Sequence, residues 1–135
     1  KIDYVPHRLQ PTAVRGVTIL DDAYNANVVG AAAAVEVLRS FEGRKLIVTP
    51  GLVELGVLEA EENAELGKKL VGLDKVILVG ETLVSAVKNG YLAAGGEAEN
   101  LITVPTLEAA QDLLEGELAE GDTVLFLNDL PDIYN

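Results

Sequence analysis

Cysteine and methionine are absent from the 135 residues, and His7 is the only histidine. Without cysteine there is no disulfide, no thiol nucleophile and no thiolate zinc site, and a single imidazole excludes a multi-histidine metal centre. The lack of disulfides is compatible with a cytoplasmic protein. Basic residues are scarce, 10 against 22 acidic ones, for a net charge of −12. Arg8, Arg15, Arg39, Arg44 and Lys45 are scattered among acids, so the basic face that a nucleic-acid binder presents is missing. The acidity itself reads as a well-solvated surface. No apolar run reaches the roughly 18 to 20 residues of a membrane span. The longest candidate, Val28 to Val35, is short and rich in alanine. A signal-peptide pattern is also missing at the start. The chain opens Lys-Ile-Asp, as an excised piece of a longer protein would.

Three phosphate or nucleophile motifs are missing too. There is no Gly-x-Gly-x-x-Gly after the first strand, no Gly-x-x-x-x-Gly-Lys-Ser/Thr and no Gly-x-Ser-x-Gly. This excludes dinucleotide binding by the usual loop, a self-contained triphosphate cradle and a serine-hydrolase elbow.

What remains is a chain that is 49% hydrophobic, enough for one domain with a real core. KIDYVPHRLQP reads as a linker entering an edge strand. His7 to Ala13 and Val17 to Leu20 are expected to pair as a hairpin across Arg15-Gly16. A helix is expected over Val28 to Phe41, with Ala31, Ala34, Val35 and Leu38 at helical spacing. Strand and helix then alternate. Strands are expected at Lys45–Thr49, Lys75–Val79, Leu101–Val104 and Thr123–Leu127, and helices at Leu58–Leu73, Thr82–Ala94 and Leu107–Leu118. Nearly unbroken apolar strands separated by helices are the pattern of a parallel sheet covered on both faces. The expected fold is therefore α/β: a Rossmann-like, open, mostly parallel sheet of about six strands, with helices on both faces and an antiparallel hairpin at the N-terminal edge.

Ligands of such sheets gather beyond the carboxyl ends of the strands. The segments there are DDAYNAN after Leu20, PGLVELG after Thr49, GET after Val79, PT after Val104 and NDLPD after Leu127. A tight connection does not need this many polar groups. Asn25 or Asn27 can cap the following helix, and Asp21 or Asp22 can favour its positive end. That accounts for two of the five polar residues Asp21, Asp22, Tyr24, Asn25 and Asn27. Pro50-Gly51 can be a plain turn and Glu54 a solvated loop residue, while Asn128, Asp129 and Pro131 can simply end a strand. His7 beside Arg8 reads as a surface pair. The acidic pair after the first strand also suggests a phosphorylation receiver. That family needs an aspartate after the middle strand and a lysine after the last, where this chain has Pro50-Gly51 and Asn128.

Taken together, HRLQ, ILDDAYNAN, AAVEVL, TPGLVELG and NDLPDIYN resemble the C-terminal domain of the Mur ligases, over nearly the whole chain from about Pro6 to Asn135. The likeness is greatest to the dipeptide-adding members whose last strand runs into NDLPD. Where that family often has proline after the second asparagine of the turn, this chain has Val28. The resemblance implies residues 1–6 as the end of a hinge and 7–135 as one domain of a larger ATP-dependent amide ligase in peptidoglycan precursor synthesis. In such a ligase ATP activates the carboxylate of a UDP-muramoyl-tripeptide as an acyl phosphate, and the amine of D-alanyl-D-alanine attacks it. An N-terminal domain and a central domain would supply the UDP-sugar site, the phosphate loop, the magnesium (Mg2+) ligands and usually a carbamylated lysine. The same resemblance assigns ATP contacts to Arg8, Asp21, Tyr24, Asn25 and Asn27. It assigns the acceptor dipeptide to Glu54, Leu55, Gly56, Asn128 and Asp129, with Asp129 and Glu54 as candidates to orient the amine. No metal ligand is expected in this domain, and the fragment alone is expected to be inactive. A folylpolyglutamate-type ligase is disfavoured by DDAYNAN, while a related Mur-type ligase with a different acceptor and a stand-alone, non-catalytic binding module are the alternatives left open.

Overall fold

The computed structural model describes residues 12–22, 28–52, 59–80 and 84–127. In chain order the elements are β1 (Thr12–Val14), β2 (Val17–Asp22), α1 (Val28–Arg39), β3 (Lys45–Thr49), α2 (Glu59–Lys69), β4 (Lys75–Val79), α3 (Val84–Ala93), β5 (Leu101–Val104), α4 (Leu107–Glu117) and β6 (Thr123–Leu127). A single 3₁₀ turn, Ala98–Asn100, leads into β5.

The strands lie in the order β1-β2-β6-β3-β4-β5. From β2 to β5 every neighbouring pair is parallel. The short β1 pairs antiparallel with β2, Val14 opposite Val17. Arg15 and Gly16 between them both have positive φ, 55° and 80°, the conformation that lets a two-residue turn follow strand twist. Residues 7–11 of the expected first strand lie outside the described residues.

The expected α/β fold with a mostly parallel sheet is what forms. Strands β3, β4, β5 and β6 coincide with their apolar runs. Strand β2 departs from expectation by running on through Asp21 and Asp22, which sit in register with Phe126 and Leu127. The two aspartates are therefore strand residues and not part of the turn. The ladder partners offered by β6 outweigh the poor strand propensity of aspartate. Two helices end early. α1 stops at Arg39, where Ser40 and Phe41 donate to the carbonyls three residues back, and α2 stops at Lys69, before Gly72 at φ +98°.

Two apolar layers sandwich the sheet. Ala31, Ala34, Val35 and Leu38 of α1, Leu66 of α2, and Val87 and Tyr91 of α3 pack against Leu20, Ile47, Leu78 and Leu125. On the other face Ala110 and Leu114 of α4 pack with Val17, Ile19, Val48, Ile77 and Phe126. Burying each large side chain contributes about 1.5–3 kcal/mol. The unequal layers follow from handedness. Right-handed crossovers that step one way along a sheet put their helices on one face, and a step the other way puts its helix on the opposite face. The chain steps outward through β3, β4 and β5, then returns by α4 to the middle of the sheet. α4 is thus the helix that covers the second face.

Helices α2 and α3 approach closely. A Cβ on Gly67 would overlap the carbonyl oxygen of Val87, and one on Gly90 would overlap that of Ala64. Backbone cannot yield there as a flexible side chain would. Gly90→Ala should therefore destabilise the chain by about 1–3 kcal/mol, although alanine is the better helix former by about 1 kcal/mol. A urea midpoint equal to or above that of the unsubstituted chain would contradict this packing.

The amino edge of the sheet is held by charge. The Arg44 guanidinium lies 2.9 Å from Asp122 Oδ2 and donates to the Glu117 carbonyl at 3.0 Å, while Lys75 reaches Glu117 Oε2 at 3.3 Å. Asp122 also accepts from the Ala119 N–H at 2.9 Å. Burial pushes the Asp122 carboxyl up. The hydrogen bonds from Arg44 and Ala119, with the Arg44 charge, outweigh burial and hold it below its ordinary value of 3.8. A carboxyl lowered in the folded state adds stability above its unfolded pKa and loses it as pH falls through the folded one. Asp122→Asn should therefore lower the urea midpoint at neutral pH, with the gap to the unsubstituted chain closing once pH falls below about 4. A gap constant from neutral pH to pH ~2 would rule out the charge interaction as its source.

Candidate functional site

The carboxyl edge of the sheet holds the candidate site. Because β2, β6 and β3 are neighbours and parallel, their carboxyl ends, Asp22, Leu127 and Thr49, lie side by side on that edge. In sequence they lead toward 23–27, 128–135 and 53–58, which lie outside the described residues. Strand order, with the last strand inserted between the first and second parallel ones, is what brings the three strand ends together.

Asp21 is the expected site residue that the structure describes. It follows Val17 and Ile19 at the two-residue period of a strand, so it continues the stripe that faces the α4 layer. It is half-buried and sits in register with Phe126. An apolar stripe that ends in a half-buried carboxylate at the edge of a sheet places an acceptor for hydroxyl or N–H donors where ligands of this fold class bind. Arg8, Tyr24, Asn25, Asn27, Glu54, Leu55, Gly56, Asn128 and Asp129 lie outside the described residues.

The exit from β3 is built with care. Thr49 is fully buried, and its hydroxyl accepts the Gly51 N–H at 3.0 Å. Gly51 takes φ +96°, a left-handed conformation that favours glycine. The next residue, Leu52, is held on both sides by one side chain. Asn63 Oδ1 accepts the Leu52 N–H at 2.7 Å, and Asn63 Nδ2 donates to the Leu52 carbonyl at 2.9 Å. Asn63 is fully buried in α2. Sequence reasoning missed it among the glutamates of that helix. The available signal was its spacing: Asn63 lies three and seven residues before Leu66 and Leu70, on the stripe that faces the core. A polar amide on that stripe must find partners or cost stability.

Charge is segregated between the two edges. Arg15, Arg44, Lys45 and Lys75 stand at or just before the starts of strands, and Arg39, Lys68 and Lys69 close α1 and α2 at the same end. Lys88 is within α3. Among the described residues the carboxyl edge carries no lysine or arginine, and no group of three acidic or histidine side chains is arranged to hold a metal. No described helix is long and apolar enough to cross a membrane. The acid described at this edge suits hydroxyl or ammonium donors.

The features together define an open parallel α/β domain with a polar, acid-bearing carboxyl rim. Residues 7–128 match the family described as Mur ligase, glutamate ligase domain, and the chain belongs to that family. Relatives include the UDP-N-acetylmuramoyl-tripeptide–D-alanyl-D-alanine ligase of Escherichia coli K12, 38% identical over 80 residues, or 57% of this chain and 18% of that protein. The ligase of the same name from Mycobacterium tuberculosis H37Rv is 33% identical over 140 residues, covering 88% of this chain and 28% of that one. Among solved structures, MurF ligase from Thermotoga maritima in complex with ADP superposes with a TM-score of 0.75 at 28% identity, over 93% of this chain and 28% of that one. The chain thus spans about a quarter of the length of such relatives.

Proposed function

We infer that this chain is the nucleotide- and acceptor-facing terminal domain of a cytoplasmic, ATP- and Mg2+-dependent amide ligase that joins D-alanyl-D-alanine to a UDP-N-acetylmuramoyl-tripeptide. The observation that carries the reading is strand order. Insertion of β6 between β2 and β3 sets side by side the three strand ends that in sequence lead into DDAYNAN, NDLPD and PGLVELG. One surface can then face both a nucleoside and an incoming amine.

Charge supports a division of labour. A triphosphate needs cationic and backbone N–H donors, and the described carboxyl edge supplies an acid instead. The phosphate loop and the Mg2+ ligands are accordingly assigned to a central domain of the parent protein, and the UDP-sugar to an N-terminal one. Here Asp21 would accept hydrogen bonds from ribose hydroxyls, with Arg8, Tyr24, Asn25 and Asn27 around the nucleoside and phosphates. Glu54, Leu55, Gly56, Asn128 and Asp129 would receive the dipeptide, its ammonium held by Glu54 or Asp129, either of which can take the proton released on attack. ATP supplies the activation of the carboxylate as an acyl phosphate. Such a mixed anhydride is lost to water unless the site closes first. A terminal domain hinged at residues 1–6 and carrying half of the ATP contacts couples closure to nucleotide binding. The isolated domain, 7–135, is without the phosphate loop, the Mg2+ ligands and the UDP-sugar site assigned to the other domains and should not turn over.

The test is phosphate release by the full-length parent with ATP, Mg2+, UDP-muramoyl-tripeptide and D-alanyl-D-alanine, beside its Asp21→Ala variant. Release should require the dipeptide, and the variant should raise the KM for ATP roughly ten- to a hundredfold, the scale of one lost hydrogen bond to a charged group. Turnover insensitive to Asp21 would remove the ribose role. Release that no amine acceptor stimulates would remove the ligase reading.

A further inference from the structure

We propose that Phe126 is a positioning residue for Asp21: its ring walls one side of the carboxylate and steers it toward the carboxyl edge, without itself touching the nucleotide. The inference rests on the ligase reading above, in which Asp21 accepts from ribose hydroxyls, and adds a residue to that site.

Phe126 and Asp21 are partners in the β2–β6 ladder. Both face the α4 layer, Asp21 in line with Val17 and Ile19, and Phe126 in line with Val124. Neighbouring strands lie about 4.8 Å apart, so two residues in register on one face have their side chains next to each other. Phe126 is 3% exposed, and Val48 flanks it on its far side, in register on β3. A ring packed in this way holds one rotamer, and Val48 leaves it little room to swing away from Asp21. Along its own strand Asp21 follows the buried Ile19 by two residues. The carboxylate therefore has an aliphatic side chain below it and an aromatic one beside it. Its Oδ1 is out of contact with solvent, while the residue as a whole is half-buried.

Charge against hydrocarbon is costly, so the two walls direct the charged end of Asp21 past the strand end, where ligands of this fold class bind. The other buried residues of the layer are aliphatic: Val17, Ile19, Leu46, Val48, Ile77, Val79, Ala110, Leu114 and Val124. Packing alone would be met by one more of these at position 126. Instead the aromatic side chain of the layer stands beside the acid that ends it. The direction of an acceptor matters, because a hydrogen bond weakens steeply once its angle closes below about 120°.

The experiment uses the full-length protein with Phe126→Leu, which keeps an apolar side chain and removes the ring, beside Asp21→Ala and the double variant. Val124→Ala is the control, since it removes buried volume from the same face of the same strand but next to Ile19. We expect Phe126→Leu to raise the KM for ATP roughly three- to tenfold, with kcat and the KM values for the UDP-tripeptide and the dipeptide within about twofold. In the Asp21→Ala background the same substitution should change the KM for ATP by less than about twofold, because the group it positions is gone. With the dideoxy analogue of ATP, which lacks both ribose hydroxyls, it should likewise matter by less than about twofold. Val124→Ala should leave every KM within about twofold. An unchanged KM for ATP in Phe126→Leu, or an equal rise with and without Asp21, would overturn the positioning role. A matching rise in Val124→Ala would overturn it too, by making the effect one of core packing. If Phe126→Leu does not fold, Phe126→Met decides by the same criteria. An Asp21→Ala variant with an unchanged KM for ATP would instead count against the ribose role itself, and the role of Phe126 would fall with it.

Discussion

The constraint on which the rest of the structure depends is the handedness of the return from β5 to β6. Three outward steps leave one face of the sheet covered by α1, α2 and α3. A right-handed return must cross the opposite face, so α4 covers it and β6 drops between β2 and β3. That insertion gives the sheet a central strand, TVLFL, whose five residues are all buried. It also extends β2: Asp21 and Asp22 are strand residues because Phe126 and Leu127 lie beside them. The chemistry of the rim is a consequence of a topological choice made at the far edge of the sheet.

The two edges of the sheet then take different roles. The amino edge collects arginine, lysine and their partners, with Asp122 buried against Arg44. The carboxyl edge keeps an acid and glycine-bearing exits. Helix polarity reinforces this, because the helices run antiparallel to the strands and the basic residues in the last turns of α1 and α2 meet the negative helix ends at the amino edge. Among the described residues the rim carries no lysine or arginine. Residues 7–128 match the Mur ligase, glutamate ligase domain, and the chain spans about a quarter of the length of the related ligases.

The polar interior is small and purposeful. Thr49 and Asn63 are fully buried polar residues, and both bond the backbone at the exit of β3. Polar groups inside a close-packed core limit the conformations a loop can adopt, because each must keep its partner. The close approach of α2 and α3 through Gly67 and Gly90 lends that region rigidity from packing.

The sequence by itself determined the class of fold. Apolar runs of strand length, separated by helical spacing, leave little besides a parallel sheet with helices on its faces, and KLIVT, KVILV, LITV and TVLFL became strands at their own boundaries. Local chemistry also marked the segments after those strands as polar beyond need, and motif spacing carried the family. What local chemistry could not decide was anything that depended on a neighbour distant in the chain. Asp21 and Asp22 read as turn residues until β6 stood beside them. Asn63 read as one more polar residue of an acidic helix until Leu52 came within reach. The adjacency of the carboxyl ends of β2, β6 and β3 was invisible, because strand order is set by crossover handedness and by which apolar faces bury each other. These are long-range terms, satisfied only when the whole sheet is assembled.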